Sequence, residues 1–429
     1  MKFLFLSFRR NILPIIFVVI TIYLVIFSKS NLTAAKNGLT LWATCVVPSL
    51  FPFFVITNLL SHTKVVSFTG KLLDKFMRPL FNVPGIGGFV FVMGLISGYP
   101  VGAKVVSDFR QEGLVTKDEG ERMLAFTNNS GPLFIISSVG ISIFGDTTTG
   151  LLLLCTHVLA CITVGIILGK FSKKSDEEFR AKIIFSQRNS THFMENSLHN
   201  KTTNRKNSAK NNSNFSAPKS QNVTFKNLGE ILGISINNSI STILMIGGFV
   251  VIFSVIISIL NQTHALDFLS KFFNPILAFL GFDLNFAKPL LSGILELTNG
   301  VNLISGVHIK AISQNVILCA FLLGFGGFSV LLQVFSIVAR TDLSMKKYFI
   351  GKFMQGIFAS IYTFLALKFI PFINLDIIQT SSTTSNSLDT LTNATNALYS
   401  YFYDLGIFVI GVIIVFAIFG IFKRIYRKI

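Results

Sequence analysis

Long apolar blocks separated by short polar segments form the hydrophobic pattern of this 429-residue chain. Several blocks approach the roughly 20 residues that cross a bilayer as a helix. The pattern therefore predicts an all-α polytopic membrane protein with about eight spans, some of them broken. The first is interpreted as a retained helix, because no small-x-small cleavage pattern follows it. In chain order the predicted spans cover residues 12–27, 38–60, 116–144, 150–168, 240–260, 316–338, 349–370 and 404–421.

Two further apolar segments, residues 85–105 and 287–305, are interrupted by glycine, and the first also by Pro100. Such a composition disfavours one continuous helix and predicts a re-entrant hairpin in each segment. The segments before them, 64–81 and 265–280, are predicted to be helices that lie at the membrane interface.

Two of the predicted spans are broken near their middle. Thr116 and Glu119 have the spacing of a capping box, which predicts the start of a helix there. The run Asn128-Asn129-Ser130-Gly131-Pro132 interrupts that helix, and the run Gly324-Phe325-Gly326-Gly327 interrupts the span 316–338. With the two hairpins, the chain therefore has four predicted breaks.

The order of elements in residues 1–172 recurs in residues 227–372, apart from an extra first helix. The two halves also share short sequence similarities in the same order. The run from Ala125 to Pro132 aligns with the run from Ala320 to Gly327, and glycines 94 and 102 align with glycines 293 and 300. We infer two transmembrane repeats.

The distribution of Lys and Arg predicts that both termini are cytoplasmic. Residues 173–226, rich in Asn, Ser, Lys and Thr, are predicted to be a disordered basic linker on the same side. Residues 373–401, without Lys or Arg, are predicted to be an external polar loop, and residues 402–429 a final span with a basic tail. The two repeats then have opposite orientations, which is typical of secondary transporters with alternating access.

Composition agrees with a membrane protein, since 51% of the residues are hydrophobic and only 13% are charged. The net charge of +18 is spread between apolar blocks rather than along a basic face, so nucleic acid is not a predicted partner. The four cysteines lie in apolar blocks without metal-ligand spacing, so neither a metal nor a cofactor is predicted. The chain has no HExxH, no Gly-x-Ser-x-Gly and no facing carboxylate pair, so an enzyme is not predicted.

The candidate chemistry lies at the breaks. A broken helix leaves backbone groups unpaired in the bilayer, at several kcal/mol each, unless they face a cavity or a ligand. The N-terminus of a half-helix carries partial positive charge and free N–H groups, so it favours an anion. The predicted substrate-binding residues are Ser97, Gly98, Tyr99, Pro100, Gly102, Lys104, Asn128, Asn129, Ser130, Gly131, Glu296, Thr298, Asn299, Gly300, Gly326 and Gly327.

Several of these positions have a structural alternative. Glycines such as Gly94 and Gly293 are equally compatible with close helix packing. Glu296 has three interpretations, which are coupling to a proton, accepting a backbone hydrogen bond and binding a cation. Lys104 either attracts an anion or extends its ammonium group to the cytoplasmic surface. Gln333 and Tyr99 are weaker candidates, and His157 carries no signal of a role.

Four motifs at the breaks resemble those of a known family. They are Gly94-Leu95-Ile96-Ser97-Gly98-Tyr99-Pro100-Val101-Gly102-Ala103-Lys104, Asn128-Asn129-Ser130-Gly131-Pro132-Leu133-Phe134, Glu296-Leu297-Thr298-Asn299-Gly300 and Phe325-Gly326-Gly327-Phe328-Ser329-Val330. They resemble the sporulation integral membrane protein family called YlbJ or SpoVV, which looks related to Gate-domain and nucleoside-transporter-like membrane proteins. The resemblance covers most of the chain apart from the linker and the last span. It implies transport of dipicolinate across a membrane around the developing spore.

Together, these features predict a carrier for a small organic anion, embedded in the cell membrane of a spore-forming bacterium. Two alternatives remain at this point: a carrier for a nucleoside-like solute, and a non-transporting sporulation scaffold recruited through the linker. A coupling proton or cation and a homo-oligomer are compatible with the sequence.

Overall fold

Helices make up the regular structure of the computed structural model, which describes residues 14–15, 17–61, 63, 65–171, 227–307 and 313–369. These residues contain no strand, so the predicted all-α class is confirmed for this part of the chain. The predicted linker 173–226, the loop 373–401 and the final span 404–421 lie outside the described residues.

The helices before the linker form the first half. They are α1 (Phe17–Ile26), α2 (Ser28–Leu41), π1 (Trp42–Val46), α3 (Val47–Ser61), α4 (Val65–Phe81), α5 (Ile86–Ser97), α6 (Val101–Gln111), α7 (Lys117–Thr127), π2 (Phe134–Ile143) and α8 (Thr147–Lys170).

The helices after the linker repeat the order of α3 to α8. They are α9 (Leu228–Gln262), α10 (Ala265–Phe279), a 3-10 turn (Leu284–Phe286), α11 (Ala287–Leu295), α12 (Leu297–Ser305), α13 (Ser313–Phe325), α14 (Gly327–Val338) and α15 (Lys346–Phe369). The hairpin α5–α6 corresponds to α11–α12, and the broken helix α7–π2 corresponds to α13–α14.

Four helical segments of the described chain are long and apolar enough to cross a membrane: α8, α9, the segment Ser313–Val338 that α13 and α14 form together, and α15. Two bent pairs raise the number to six if each pair is one span, namely Phe17–Ile26 with Ser28–Thr44, and Leu72–Phe81 with Ile86–Ser97. The polytopic class is therefore confirmed.

The outer surface of α15 is apolar and its inner surface is polar. The exposed side chains recur at helical spacing and are Ile350, Phe353, Ile357, Ile361 and Phe364. The buried side chains include Lys352, Gln355 and Thr363. Large exposed hydrophobic side chains suit contact with lipid, and the buried polar groups must find partners inside the bundle.

Two helix boundaries differ from the sequence prediction. Helix α9 starts at Leu228, twelve residues before the predicted span, and α2 starts at Ser28, ten residues before the predicted second span. Hydropathy locates only the apolar part of a helix, whereas the backbone stays helical through polar turns that contain no proline.

The helices α4 and α10 lie near opposite ends of the bundle relative to the linker. A Cβ on Gly169, near the linker end of α8, would lie 2.8 Å from the carbonyl carbon of Phe81 at the end of α4. Helix α10 instead follows the far end of α9, whose 35 residues separate it from the linker by about 52 Å. This arrangement agrees with an inverted repeat, which stays a prediction.

Candidate functional site

The first hairpin turns at Gly98, Tyr99 and Pro100. Gly98 has φ +79°, a left-handed conformation that side-chain-bearing residues rarely adopt, and the Tyr99–Pro100 peptide is cis. A Cβ on Gly98 would lie 2.8 Å from the backbone nitrogen of Gly131. The tip of the hairpin therefore packs directly on the break between α7 and π2, where residues 128–131 are not helical.

The second half repeats this packing. Gly326 and Gly327, between α13 and α14, have φ +84° and +79°. A Cβ on Gly327 would lie 3.0 Å from the carbonyl oxygen of Gly293 and 3.2 Å from the nitrogen of Leu297. The break in each half thus rests against the hairpin of the same half.

Two predicted binding glycines have packing roles. A Cβ on Gly102 would lie 2.6 Å from the carbonyl oxygen of Thr127, and a Cβ on Gly300 would lie 1.9 Å from the Cα of Gly293. These contacts bring the two arms of a hairpin, or a hairpin and its break, closer than any side chain allows.

Glu296 caps helix α12. Its Oε1 accepts a hydrogen bond from the Thr298 nitrogen (3.0 Å) and its Oε2 accepts one from the Asn299 nitrogen (2.8 Å). The carboxylate therefore occupies the position at which this helix N-terminus would attract an anion. No side chain in the described residues caps the N-termini of α6 and α14.

A small internal cavity lies where the four breaks meet. Tyr99 precedes α6, Phe134 starts π2, Thr298 lies in the first turn of α12 and Ser329 in the first turn of α14. All four line one cavity together with Glu296. Its free volume of about 10 Å³ at the radius of water suits roughly one water molecule. The remaining lining residues are Val46, Leu50, Ile246, Val250, Val330 and Gln333.

Two polar atoms of this cavity lining have no hydrogen-bond partner among the described residues, Ser329 Oγ and Gln333 Oε1. Both side chains belong to residues that are only 1% exposed. A buried unsatisfied polar group costs about 1–3 kcal/mol, so it marks a place for water or a ligand. Gln333 was a weaker candidate from the sequence, and Ser329 was not predicted as a binding residue, because a lone Ser in an apolar helix carries no pattern.

A larger cavity of about 640 Å³, here called the vestibule, is partly lined by α12, the helix that also carries Thr298. Asn299 lines the vestibule, and its Nδ2 donates to Ser254 Oγ at 2.8 Å. The vestibule is at the end of α9 remote from the linker, since Asn261 and Gln262 also line it. Residues 298 and 299 therefore separate the vestibule from the internal cavity.

Asn128 and Asn129 point to a second polar cluster rather than to the internal cavity. Asn128 Nδ2 donates to the Tyr348 hydroxyl at 2.7 Å. Asn129 Oδ1 accepts from Lys352 Nζ at 3.3 Å and from Gln355 Nε2 at 2.9 Å. We call these residues, with His157 beyond Gln355, the Lys352 cluster.

The contribution of α8 and α15 to this cluster was not predicted from the sequence. Gln355 Nε2 lies 3.4 Å from His157 Nε2, and Lys352 Nζ donates to Gln355 Oε1 at 2.8 Å. A lysine near the end of an apolar segment normally extends to the surface, but Lys352 is 3% exposed. The members of the cluster on other helices, Asn129 and His157, are about 200 residues away along the chain from α15, so no local pattern indicated them.

The remaining predicted residues lie around the breaks. Ser97 hydrogen-bonds to Thr57, and Ser130 Oγ donates to the Leu323 carbonyl at 3.4 Å, which links the two halves. Lys104 lies outside both cavities and interacts with Asp108, one helical turn further on. In the described residues no group of three His, Cys, Asp or Glu side chains is arranged to hold a metal ion.

Broken helices that meet at an internal cavity define the class of this protein, an α-helical polytopic membrane protein. The model of the Gate family, described as nucleoside recognition, matches residues 43–171 and 243–341, which together exceed half of the chain and include all four breaks. The chain belongs to this family.

A particular relative narrows the comparison. The chain is 36% identical over 355 residues to the sporulation integral membrane protein YlbJ of Bacillus subtilis (strain 168), and the match covers 82% of this chain and 81% of YlbJ. The resemblance to that family is confirmed. No solved structure matches the chain significantly.

Proposed function

We propose that this protein is a carrier that moves a small organic anion across a membrane by alternating access. The observation that carries the proposal is the meeting of four helix breaks at one cavity, with the unpartnered Ser329 Oγ and Gln333 Oε1 in its lining. Backbone that is not helical is tolerated at membrane depth where it lines a cavity or a binding site. Such breaks are costly unless they have a function.

The small volume of the internal cavity indicates that the carrier is closed in this structure. Ligand sites for small organic molecules have volumes of about 300–1,000 Å³, far above the space for one water. The solute must therefore separate the hairpin tips from each other or from the breaks. The vestibule is a route from the side remote from the linker, and residues 298 and 299 are the barrier between it and the cavity.

An anion is favoured by the uncapped N-termini of α6 and α14. Tyr99 and Ser329 add hydroxyl donors at these same ends. Glu296 does not cancel the attraction of the whole site, because its two oxygens already accept N–H groups of α12. Dipicolinate is the specific anion that we propose, on the ground that the relative YlbJ is named a sporulation protein.

A nucleoside-like solute is the second candidate, and the description of the family as nucleoside recognition favours it. In that case the hydroxyl groups of the sugar would donate to Gln333 Oε1 and Glu296. The two candidate solutes differ in charge, so the same residues would bind them with different affinities.

The proposed setting is a membrane around the forespore, with both termini and the linker in the cytoplasm and the two repeats inverted. The opposite ends at which α4 and α10 lie support the inversion. We propose no catalytic residue and no cofactor, since the arrangement binds and releases a solute without chemical change.

Uptake of labelled dipicolinate into proteoliposomes tests the proposal. We expect saturable uptake that unlabelled dipicolinate abolishes and uridine does not. Ser329→Ala should weaken uptake without lowering thermal stability, because the hydroxyl has no protein partner to lose. Ser235→Ala is the matched control, since Ser235 is also buried with an unpartnered Oγ but lies outside both cavities.

Two results would change the proposal. Saturable uptake of uridine that dipicolinate does not inhibit would replace the anion with a nucleoside. Uptake of neither solute above protein-free liposomes would contradict a carrier for either class.

A further inference from the structure

The Lys352 cluster is buried in the bundle, and its members on α15 lie beyond the residues that the family model matches, which end at 341. Lys352 is 3% exposed, and its Nζ donates to two amide oxygens, Gln355 Oε1 at 2.8 Å and Asn129 Oδ1 at 3.3 Å. The Tyr348 ring is 6.0 Å from the same nitrogen. All these partners are neutral.

The charged side chains around α15 are engaged elsewhere. On α7, Asp118 binds Arg122 and Lys347, and Glu121 accepts from the Ser344 nitrogen and lies 3.4 Å from Lys347. These ion pairs lie at the start of α15, below the cluster. None of the described ion pairs includes Lys352.

The titratable groups near Lys352 are neutral in their ordinary forms. Helix α8 contributes His157 and Cys161, and α15 itself contributes Tyr348. Helix α13 packs on α15 and has Cys319 as its titratable side chain. An ammonium group held only by neutral partners at membrane depth is expensive, and such residues in membrane proteins mark ion or proton pathways.

The geometry allows the proton of Lys352 to leave and return. A neutral amine keeps two N–H donors and gains a lone pair, so it can retain both hydrogen bonds to the amide oxygens. Gln355 connects Lys352 to His157, whose Nδ1 has no partner in the described chain. Because Gln355 Nε2 donates to His157 Nε2, the neutral ring of His157 carries its proton on Nδ1, so the amine of Lys352 is the group of the cluster that can take up and release a proton.

The cluster is joined to the internal cavity through one short segment. Asn129 binds Lys352, the next residue Ser130 hydrogen-bonds to α13, and Gly131 packs on the tip of the first hairpin. A change in the hydrogen bonds of Lys352 thus acts on the segment that packs on the hairpin tip, whose Tyr99 lines the cavity. Glu296, in contrast, is fixed as the cap of α12.

We propose that Lys352 is the site that binds the coupling proton of the carrier, an inference that rests on the proposed transport function. The amine takes up one proton from water on one side of the membrane and becomes an ammonium ion. It releases that proton to water on the other side after the carrier has changed its state. With an anionic solute, the proton offsets one of the negative charges that cross the membrane.

The test uses the full-length protein in proteoliposomes with a pH-sensitive dye inside. Wild-type protein should move protons together with labelled dipicolinate, and an imposed pH gradient should raise dipicolinate accumulation. Lys352→Met should keep the exchange of labelled for unlabelled dipicolinate without a gradient and lose the gradient-driven accumulation. Lys288→Met is the control, since Lys288 pairs with Asp267 away from the cluster (2.9 Å), and it should respond to the gradient as wild type does.

Lys352→Arg separates coupling from a structural role. Arginine keeps the charge and the hydrogen-bond donors but does not release its proton, so we expect no response to the gradient. A structural lysine would instead be rescued by arginine, which would overturn the proposal. Proton-driven accumulation by Lys352→Met, or dipicolinate transport by wild type without proton movement, would also overturn it. Failure of the proposed function looks different, because wild type would then show no exchange at all.

Discussion

Glu296 illustrates how a single residue is held at a break, since its two carboxylate oxygens accept the backbone N–H groups of Thr298 and Asn299. The four breaks were predicted from sequence because Asn, Gly and Pro disrupt a helix locally, and the structure has a break at each predicted position. The capping box of Thr116 and Glu119 is likewise present. Lys352, His157 and Ser329 could not be predicted, because their surroundings come from helices distant in sequence.

Glu296→Gln tests the carboxylate cap at the cavity. Glutamine keeps one acceptor and loses the other, so we expect the free energy of unfolding to fall by about 1 kcal/mol. The loss of negative charge from the cavity should also lower the apparent KM for dipicolinate by about tenfold, equivalent to 1.4 kcal/mol. Both quantities are measured on the purified protein, by thermal unfolding and by uptake.

Asp146→Asn is the control for this substitution. Asp146 caps α8 through the nitrogens of Thr148 and Thr149 at 3.1 and 2.6 Å, and it lies outside both cavities. Asp146→Asn should lower the free energy of unfolding by a similar amount and leave the KM for dipicolinate unchanged. An unaltered KM for Glu296→Gln would mean that Glu296 does not face the solute.

The packing of helices depends on the glycines that line their contacts. The sequence predicted the hairpins from these glycines but could not decide between packing and binding, and the short distances at Gly102 and Gly300 favour packing. Polar turns concealed the true lengths of α2 and α9, since no hydropathy signal extends a helix beyond its apolar part.

Gly300→Ala tests the closeness of the second hairpin. A Cβ at this position would overlap Gly293, which must separate α11 from α12 and destabilise the protein by about 1–3 kcal/mol. Gly248→Ala in α9 is the control, because no described atom lies within 4 Å of its Cβ position, and alanine there should stabilise the helix by up to about 1 kcal/mol. Thermal unfolding in detergent measures both; equal effects would contradict the tight contact.

The two halves of the molecule are joined by polar contacts at the membrane surface as well as at the breaks. Arg110 after the first hairpin binds Asp342 in the turn before α15, with Nε to Oδ1 at 2.8 Å and Nη2 to Oδ2 at 2.9 Å. The hydrogen bonds from Arg110 hold the pKa of Asp342 below its ordinary value. The ionised pair therefore stabilises the contact between the halves.

Asp342→Asn should lower stability by about 0.5 kcal/mol at neutral pH, a value reduced for the solvent exposure of the pair. Because the pKa of Asp342 is lower in the folded protein, its contribution is present above the unfolded value of about 3.9 and is lost as the pH falls through the folded value. The difference in thermal stability between wild type and variant should be full at pH 7 and shrink below about pH 4. A difference that is the same at pH 3.5 and pH 7 would contradict this role. Asp74→Asn, which breaks an ion pair within α4 alone, is the control for a contact that does not join the halves.

The central claim is that the meeting point of the four breaks is the solute site. The most direct measurement is the labelling of Ser329→Cys by a small thiol reagent in proteoliposomes, in a protein whose native cysteines are replaced by serine. We predict that labelling occurs in transporting protein and that dipicolinate slows it in proportion to its occupancy of the carrier. Labelling at the same rate with and without saturating dipicolinate, in protein that still transports dipicolinate, would contradict the claim.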